Sequence, residues 1–244
     1  MINLKASRLT VAVAMVVAVM LAAGAVSVAS NMGFKMNKAI TPFAPPPAAT
    51  TSVGDNWTSI PYNNPYGNAG ALCTQLGLTS TGVIGAPRGL ITIITPATGG
   101  ATNAQCGTAS ANSTLLPTDG RGVRIRQPNI TGAPASVIIV GSHNPSLAIT
   151  VPTSGAGSIG DYWLGVPYHT TAVNMNDLCL SAGLTSTGAI GAPRALITRI
   201  NAPTGAAVSA QCGTSTATST PQVLGEAVRI REPFGPKTFI PAHF

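Results

Sequence analysis

The chain contains one stretch twice, and that duplication limits its possible folds more than any other feature. Residues 53–114 align without a gap to 159–220, with 34 of 62 positions identical at a shift of 106. Both copies carry Gly-Asp-x-Trp (Asp55, Trp57; Asp161, Trp163), Pro-Tyr (Pro61, Tyr62; Pro167, Tyr168) and Leu-Cys (Cys73; Cys179). Both continue through Ile-Gly-Ala-Pro-Arg (Arg88; Arg194) to Gln-Cys-Gly (Cys106; Cys212), rejoin after a one-residue slip at Val-Arg-Ile-Arg, residues 123–126 and 228–231, and close on His143 and His243. Two copies are too few for a solenoid, which generally needs three or more repeats. Each copy is therefore expected to be a small self-contained domain, one over residues 53–145 and one over 159–244, joined by a linker over 146–158 in which Leu147, Ile149 and Val151 alternate before Ser154 to Gly157.

A domain of this length buries only roughly 60–65% of its surface and needs reinforcement. Four cysteines permit three pairings, and duplication favours one that repeats: Cys73 with Cys106, and Cys179 with Cys212. The rival symmetric scheme joins Cys73 to Cys179 and Cys106 to Cys212 and would lock the two copies together. Zinc is disfavoured, because no Cys-x-x-Cys or clustered His accompanies the thiols, and no cofactor is expected.

An oxidising destination is read from the N-terminus. Lys5 and Arg8 precede an apolar run from Val11 to Ala23, followed by the small residues Ser27 to Ser30. That order predicts a secretory signal peptide over residues 1–29 and a secreted or cell-surface protein. The alternative is an uncleaved anchor, since residues 9–29 are about long enough to span a bilayer. Membrane contact is expected only through this segment.

Local patterns read mainly as strand. Residues 57–62 are rich in aromatic and β-branched types, Leu90 to Thr95 is a compact apolar run, and Val123 and Ile125 alternate with Arg124 and Arg126. Pro96 to Gly100 and Ala202 to Gly205 read as hairpin turns. One short helix per copy is expected: Asn174 caps a helix over residues 175–182, with Asp177 in its first turn and Gly183 just past its end. The fold class is thus mainly β, two homologous small β-sandwich or barrel domains, each with one short helix and one internal disulfide. The series Trp-x-Ser-Ile-Pro-Tyr, Leu-Cys, Thr-Gly, Cys-Gly, Gly-x-Val-Arg-Ile-Arg resembles a tandem Trp/Cys-containing small β-module of secreted bacterial proteins with no established activity. The resemblance implies an exported surface or extracellular protein and transfers no catalytic residue.

Charge narrows function further. Thirteen basic and six acidic residues give +7, but the basic residues form no patch or helix stripe, so nucleic acid is not an expected partner. Asp55 and Asp161 are the acids at matching positions, and a structural pairing with Arg88 and Arg194 is expected. No paired carboxylates or nucleophile–base sets emerge, and His143, His169 and His243 lack a nearby second ligand, so no enzyme is expected.

Candidate binding residues are of two kinds. Arg124 with Arg126, and Arg229 with Arg231, place two guanidinium groups on one strand face and could hold a carboxylate or phosphate; a solvated outer face is the alternative. Trp57, Trp163, Tyr62 and Tyr168 recur and are assigned to the core. Tyr66, Tyr162 and Phe234 do not recur, which makes them candidates for surface recognition. Upstream of the first copy, residues 30–52 form an arm with a Pro-rich linker (Pro42, Pro45, Pro46, Pro47). Met32, Phe34 and Met36 alternate with polar or small residues, as in a strand that could add to a neighbour's open sheet edge or complete its own module; a disordered tail is the third reading. The function expected is non-catalytic: a structural or adhesive protein whose partner is itself or a cell-surface component. The alternative is a glycan- or anion-binding secreted module.

Overall fold

The computed structural model describes residues 33–43, 52–80, 88–129, 135–142, 144, 146–167, 170–186 and 193–241. The expected signal segment 1–29, Met32, Pro45 to Pro47, Tyr168 and all three histidines lie outside the described residues. The protein is mainly β. In the first module β2 (Asn56–Thr58), β3 (Leu90–Thr95), β4 (Gly100–Gln105) and β5 (Val123–Arg126) form an antiparallel sheet in the order β2-β5-β3-β4. A two-stranded sheet pairs β1 (Gly33–Ala39) with β6 (Ser136–Ser142).

The second module repeats this plan. Strands β8 (Tyr162–Gly165), β9 (Leu196–Ile200), β10 (Ala207–Gln211) and β11 (Ala227–Arg231) are ordered β8-β11-β9-β10. Its two-stranded sheet joins β7 (Ile149–Val151) to β12 (Lys237–Phe239). Residues 149–151 belong to the stretch expected to be linker, yet Ile149 and Val151 are fully buried in the second core. Strand β7 thus plays for the second module the part that β1 plays for the first.

Period-two burial explains why these strands stay in register. Val123 and Ile125 of β5, and Val228 and Ile230 of β11, point into the cores, while the intervening arginines are half-buried. The expected hairpin turns form between β3 and β4 and between β9 and β10, with Gly99 and Gly205 at φ of 67° and 69°. A Cβ is strained in that region, so glycine suits it.

Each module has two short helices where one was expected. The expected one is α1 (Ala69–Gln75) in the first copy and α3 (Met175–Ser181) in the second. Asn68 accepts a hydrogen bond from the Ala71 amide, and Asn174 forms a reciprocal capping box with Asp177. The additional pair, α2 (Ala109–Ser113) and α4 (Ser215–Ser219), consists only of Ala, Ser, Thr and Asn. Such a run has no apolar periodicity to announce a helix, and its single inward residue, Ala111 or Ala217, is enough to seat one turn.

Both expected disulfides form. Cys73 on α1 joins Cys106 just after β4, and Cys179 on α3 joins Cys212 just after β10, with Cα separations of 5.6 and 5.7 Å. Each closes a loop of 33 steps and pins a helix to the end of an edge strand. On the chain-entropy model each contributes about 3–4 kcal/mol.

The modules meet in a pseudo-twofold junction whose contacts come in related pairs. The Ser59 amide donates to Gly225 O, and the equivalent Gly165 amide to Gly120 O. The Gly54 amide donates to Ala202 O, and the Gly160 amide to Pro96 O. Thr58 bridges to Glu226 as Leu164 bridges to Arg121. At the centre Trp57 stacks on Trp163, flanked by Ala227, Ile94 and Ile200. The tryptophans are buried as expected, but between the modules rather than inside either one. Tyr62 also crosses over: it packs into the apolar cluster of the second module.

Candidate functional site

Three features of the surface and junction could carry function. The first is the arginine pair of each module. Asp55 is buried, and its carboxylate accepts from Arg126 Nε and, at 3.3 Å, from Arg124 Nη1. In the second module Asp161 lies 3.5 Å from Arg229 Nη1 and 2.8 Å from Arg231 Nε. The arginine pairs read as candidates for a carboxylate or phosphate thus each contact a carboxylate of their own module, while their side chains stay 20–34% exposed. Burial pulls the Arg124 guanidinium below its ordinary range, against the opposing attraction of Asp55. Arg124 also lies over the Trp57 ring, 5.7 Å from its centroid, so the clasp and the indole stack form one layer.

Arg88 and Arg194, expected to pair with these aspartates, bond backbone carbonyls instead. Arg88 Nη1 donates to Ser80 O, Cys106 O and Gly107 O, and Arg194 Nη1 to Cys212 O and Gly213 O. They brace the turn that follows each disulfide. The aspartates are drawn to β5 and β11 because Asp55 directly precedes β2, whose partner is β5, while Asp161 bears the same relation to β8 and β11.

The unrepeated tyrosines are not surface residues. Tyr66 is 5% exposed and its hydroxyl accepts from the Val140 amide; Tyr162 is 3% exposed and its hydroxyl donates to Asp119 O of the other module. Burial raises both phenols above their ordinary range, most strongly Tyr162. Each lost its exposure to a tertiary contact far away in sequence. Phe234, by contrast, is exposed.

The N-terminal arm is paired. Phe34 and Met36 face Gly141 and Ile139 across the β1–β6 ladder, and Met36 packs half-buried against the first core. The strand completes its own module, rather than forming a disordered tail or standing free for a neighbour's sheet.

The second feature is the pair of outer sheet edges. Strands β4 and β10 end their sheets, and among the described residues each pairs on one side only. Neither GATNAQ nor AVSAQ contains a charge or a proline, and most of their residues are exposed.

The third feature is a cleft of about 480 Å³ on one side of the junction. Glu226 stands in it between Lys38 of β1 and Arg199 of β9, at 3.9 and 3.8 Å. Burial lowers the Lys38 ammonium below its ordinary range, partly offset by Glu226. None of these three residues was singled out from sequence. A signal was present, because the repeat aligns Arg199 with Ile93 and Glu226 with Arg121, so the copies differ in charge where their frameworks agree.

Comparison with protein-family models, curated proteins and solved structures found no match to this chain.

Proposed function

We propose that this is an exported, non-catalytic structural or adhesive protein of the cell surface or extracellular space, whose copies join through the outer edges of their four-stranded sheets. The observation that carries this reading is that β4 and β10, among the described residues, pair on one side only. Soluble proteins normally guard an open edge with lysine, proline, a bulge or a covering element, because its unpaired amides and carbonyls accept another strand. Here two such edges stand at related positions on one chain, uncharged and free of proline, and each is stiffened at its end by a disulfide. A molecule with two addition sites can extend into a chain of copies, whereas one site would stop at a pair. Two disulfides in a small duplicated protein, with a signal-like N-terminus, support assembly outside the cytoplasm.

The test is electron microscopy and sedimentation of the mature chain beside the double variant Ala101→Lys, Ala207→Lys, which places one lysine on each exposed edge. Concentration-dependent polymers in the parent and monomers in the variant are expected. A parent that stays monomeric, or a variant that polymerises equally well, would overturn the reading.

A further inference from the structure

The charged groups of the junction cleft are held too far apart to satisfy one another. Lys38 Nζ lies 3.9 Å from Glu226 Oε1, and Arg199 Nε lies 3.8 Å from Oε2. A charge-assisted N–H···O bond closes at about 2.7–2.9 Å. Glu226 Oε2 is buried with no hydrogen-bond partner, so a group in the cleft reaches this carboxylate at Oε1, on the side of Lys38. The gap on each side of the carboxylate is about 1 Å wider than a direct bond needs.

We infer that this cleft binds a neutral saccharide of one or two rings. A hydroxyl group is the simplest group that answers this arrangement, because it donates to a carboxylate while accepting from an ammonium or guanidinium. An inorganic anion would satisfy Lys38 and Arg199 but would meet Glu226 with repulsion, and a cation would meet the reverse. The rest of the wall suits the C–H face of a sugar: Ala202, Pro203, Val223 and Leu224 line the cleft, and Leu224 is 53% exposed. The volume falls within the range of small-molecule sites, about 300–1,000 Å³.

The duplication gives an independent argument. Across the pseudo-twofold axis the same framework positions are occupied by Ile93 and Arg121. Arg121 is consumed there, its Nη1 on Ile94 O and its Nε on Asp119. The junction can therefore be built without the Lys38, Glu226 and Arg199 constellation, which is present on one side alone. This inference does not depend on assembly through β4 and β10.

Saturation-transfer NMR and calorimetry on the disulfide-bonded chain would test it. The probes are methyl glycosides of glucose, galactose, mannose and N-acetylglucosamine, the disaccharides cellobiose, lactose and chitobiose, and sodium sulfate as the anionic control. At least one sugar is expected to bind saturably and to weaken about tenfold or more in Glu226→Gln and in Lys38→Met. The rim variant Leu224→Ser, on an exposed side chain, should also weaken it with the fold retained by circular dichroism. The edge variant Ala101→Lys, Ala207→Lys should bind the sugar like the parent. Binding of sulfate alone, no sugar binding at tens of millimolar, or sugar binding unchanged in all three cleft variants would overturn the inference.

Discussion

The indole of Trp57 lies flat on that of Trp163, with ring centroids 3.3 Å apart and planes inclined by 7°. Because the two rings are related by the duplication, the sequence motif that repeats most visibly is also the one that joins its own copies. Two parallel indoles at this spacing couple their excited states. The parent chain should show a paired-sign tryptophan band in circular dichroism that vanishes in either Trp57→Phe or Trp163→Phe. Replacement of either indole by alanine should cost about 3–5 kcal/mol. The second replacement should cost less than the first by about 0.5–1.5 kcal/mol, the part due to stacking. Chemical denaturation of the double-mutant cycle checks this, and strict additivity would contradict a direct contact.

Gly122 and Ala227 occupy equivalent positions beside the axis. A Cβ at Gly122 would stand 2.2 Å from the Ala227 Cβ and 2.7 Å from Thr58 O, neither of which is the end of a flexible side chain. Gly122→Ala should therefore destabilise the protein by about 1–3 kcal/mol through overpacking. Adding Ala227→Gly should recover part of that loss. Thermal melts of the single and double variants decide the matter, and a Gly122→Ala chain as stable as the parent would exclude so close an approach.

Removal of one carboxylate from a clasp leaves two guanidiniums facing each other. Asp55→Asn should lower stability by about 2–4 kcal/mol, less than breaking a wholly buried pair because the arginines keep some solvent. Asp161→Asn should cost less, since Arg229 and Arg231 are 31% and 34% exposed against 20% and 21% for Arg124 and Arg126. Sulfate should stabilise Asp55→Asn more than the parent, by screening the two guanidiniums left without a carboxylate from their solvent side. Melting temperatures across a sulfate series measure this.

Alkaline pH should weaken the junction through its tyrosines. Burial raises the Tyr62 and Tyr162 phenols above the ordinary value of 10.0, so above that pH the unfolded chain has lost protons that the folded one retains. Their stabilising contribution is complete below pH 10 and falls as the pH rises towards their folded values, by about 1.4 kcal/mol per pH unit for each phenol. Tyr162→Phe should lose stability at neutral pH with its bond to Asp119 O, yet show a shallower decline above pH 10. Denaturant midpoints between pH 8 and pH 11 report both effects, and an unchanged slope would rule out the role of Tyr162.

Local and duplicated patterns made part of this fold legible in the amino-acid sequence. The helix at Asn174 was legible because cap, first-turn acid and terminal glycine lie within ten residues of each other. The disulfides were legible because a pairing inside one copy must recur in the other. What escaped depended on contacts between distant segments. Tyr66 meets the amide of Val140 within its own module and Tyr162 the carbonyl of Asp119 in the other, so the absence of a repeat at those tyrosines marked a distant tertiary contact rather than an exposed ring. The alternation of Leu147, Ile149 and Val151 was legible between the copies, but their place in the second core depends on pairing with the distant strand β12. Arg199 and Glu226 became conspicuous once the fold set them beside Lys38.

Covalent fusion changes the thermodynamics of the pseudo-twofold junction. Two separate modules meeting through the same surface would dissociate on dilution, as any bimolecular complex does. Here the partner is carried on the same polypeptide, so its local concentration is fixed by the chain and independent of the surrounding volume. The junction therefore keeps its paired state at any dilution, and the stacked indoles at its centre do not separate as the protein concentration falls.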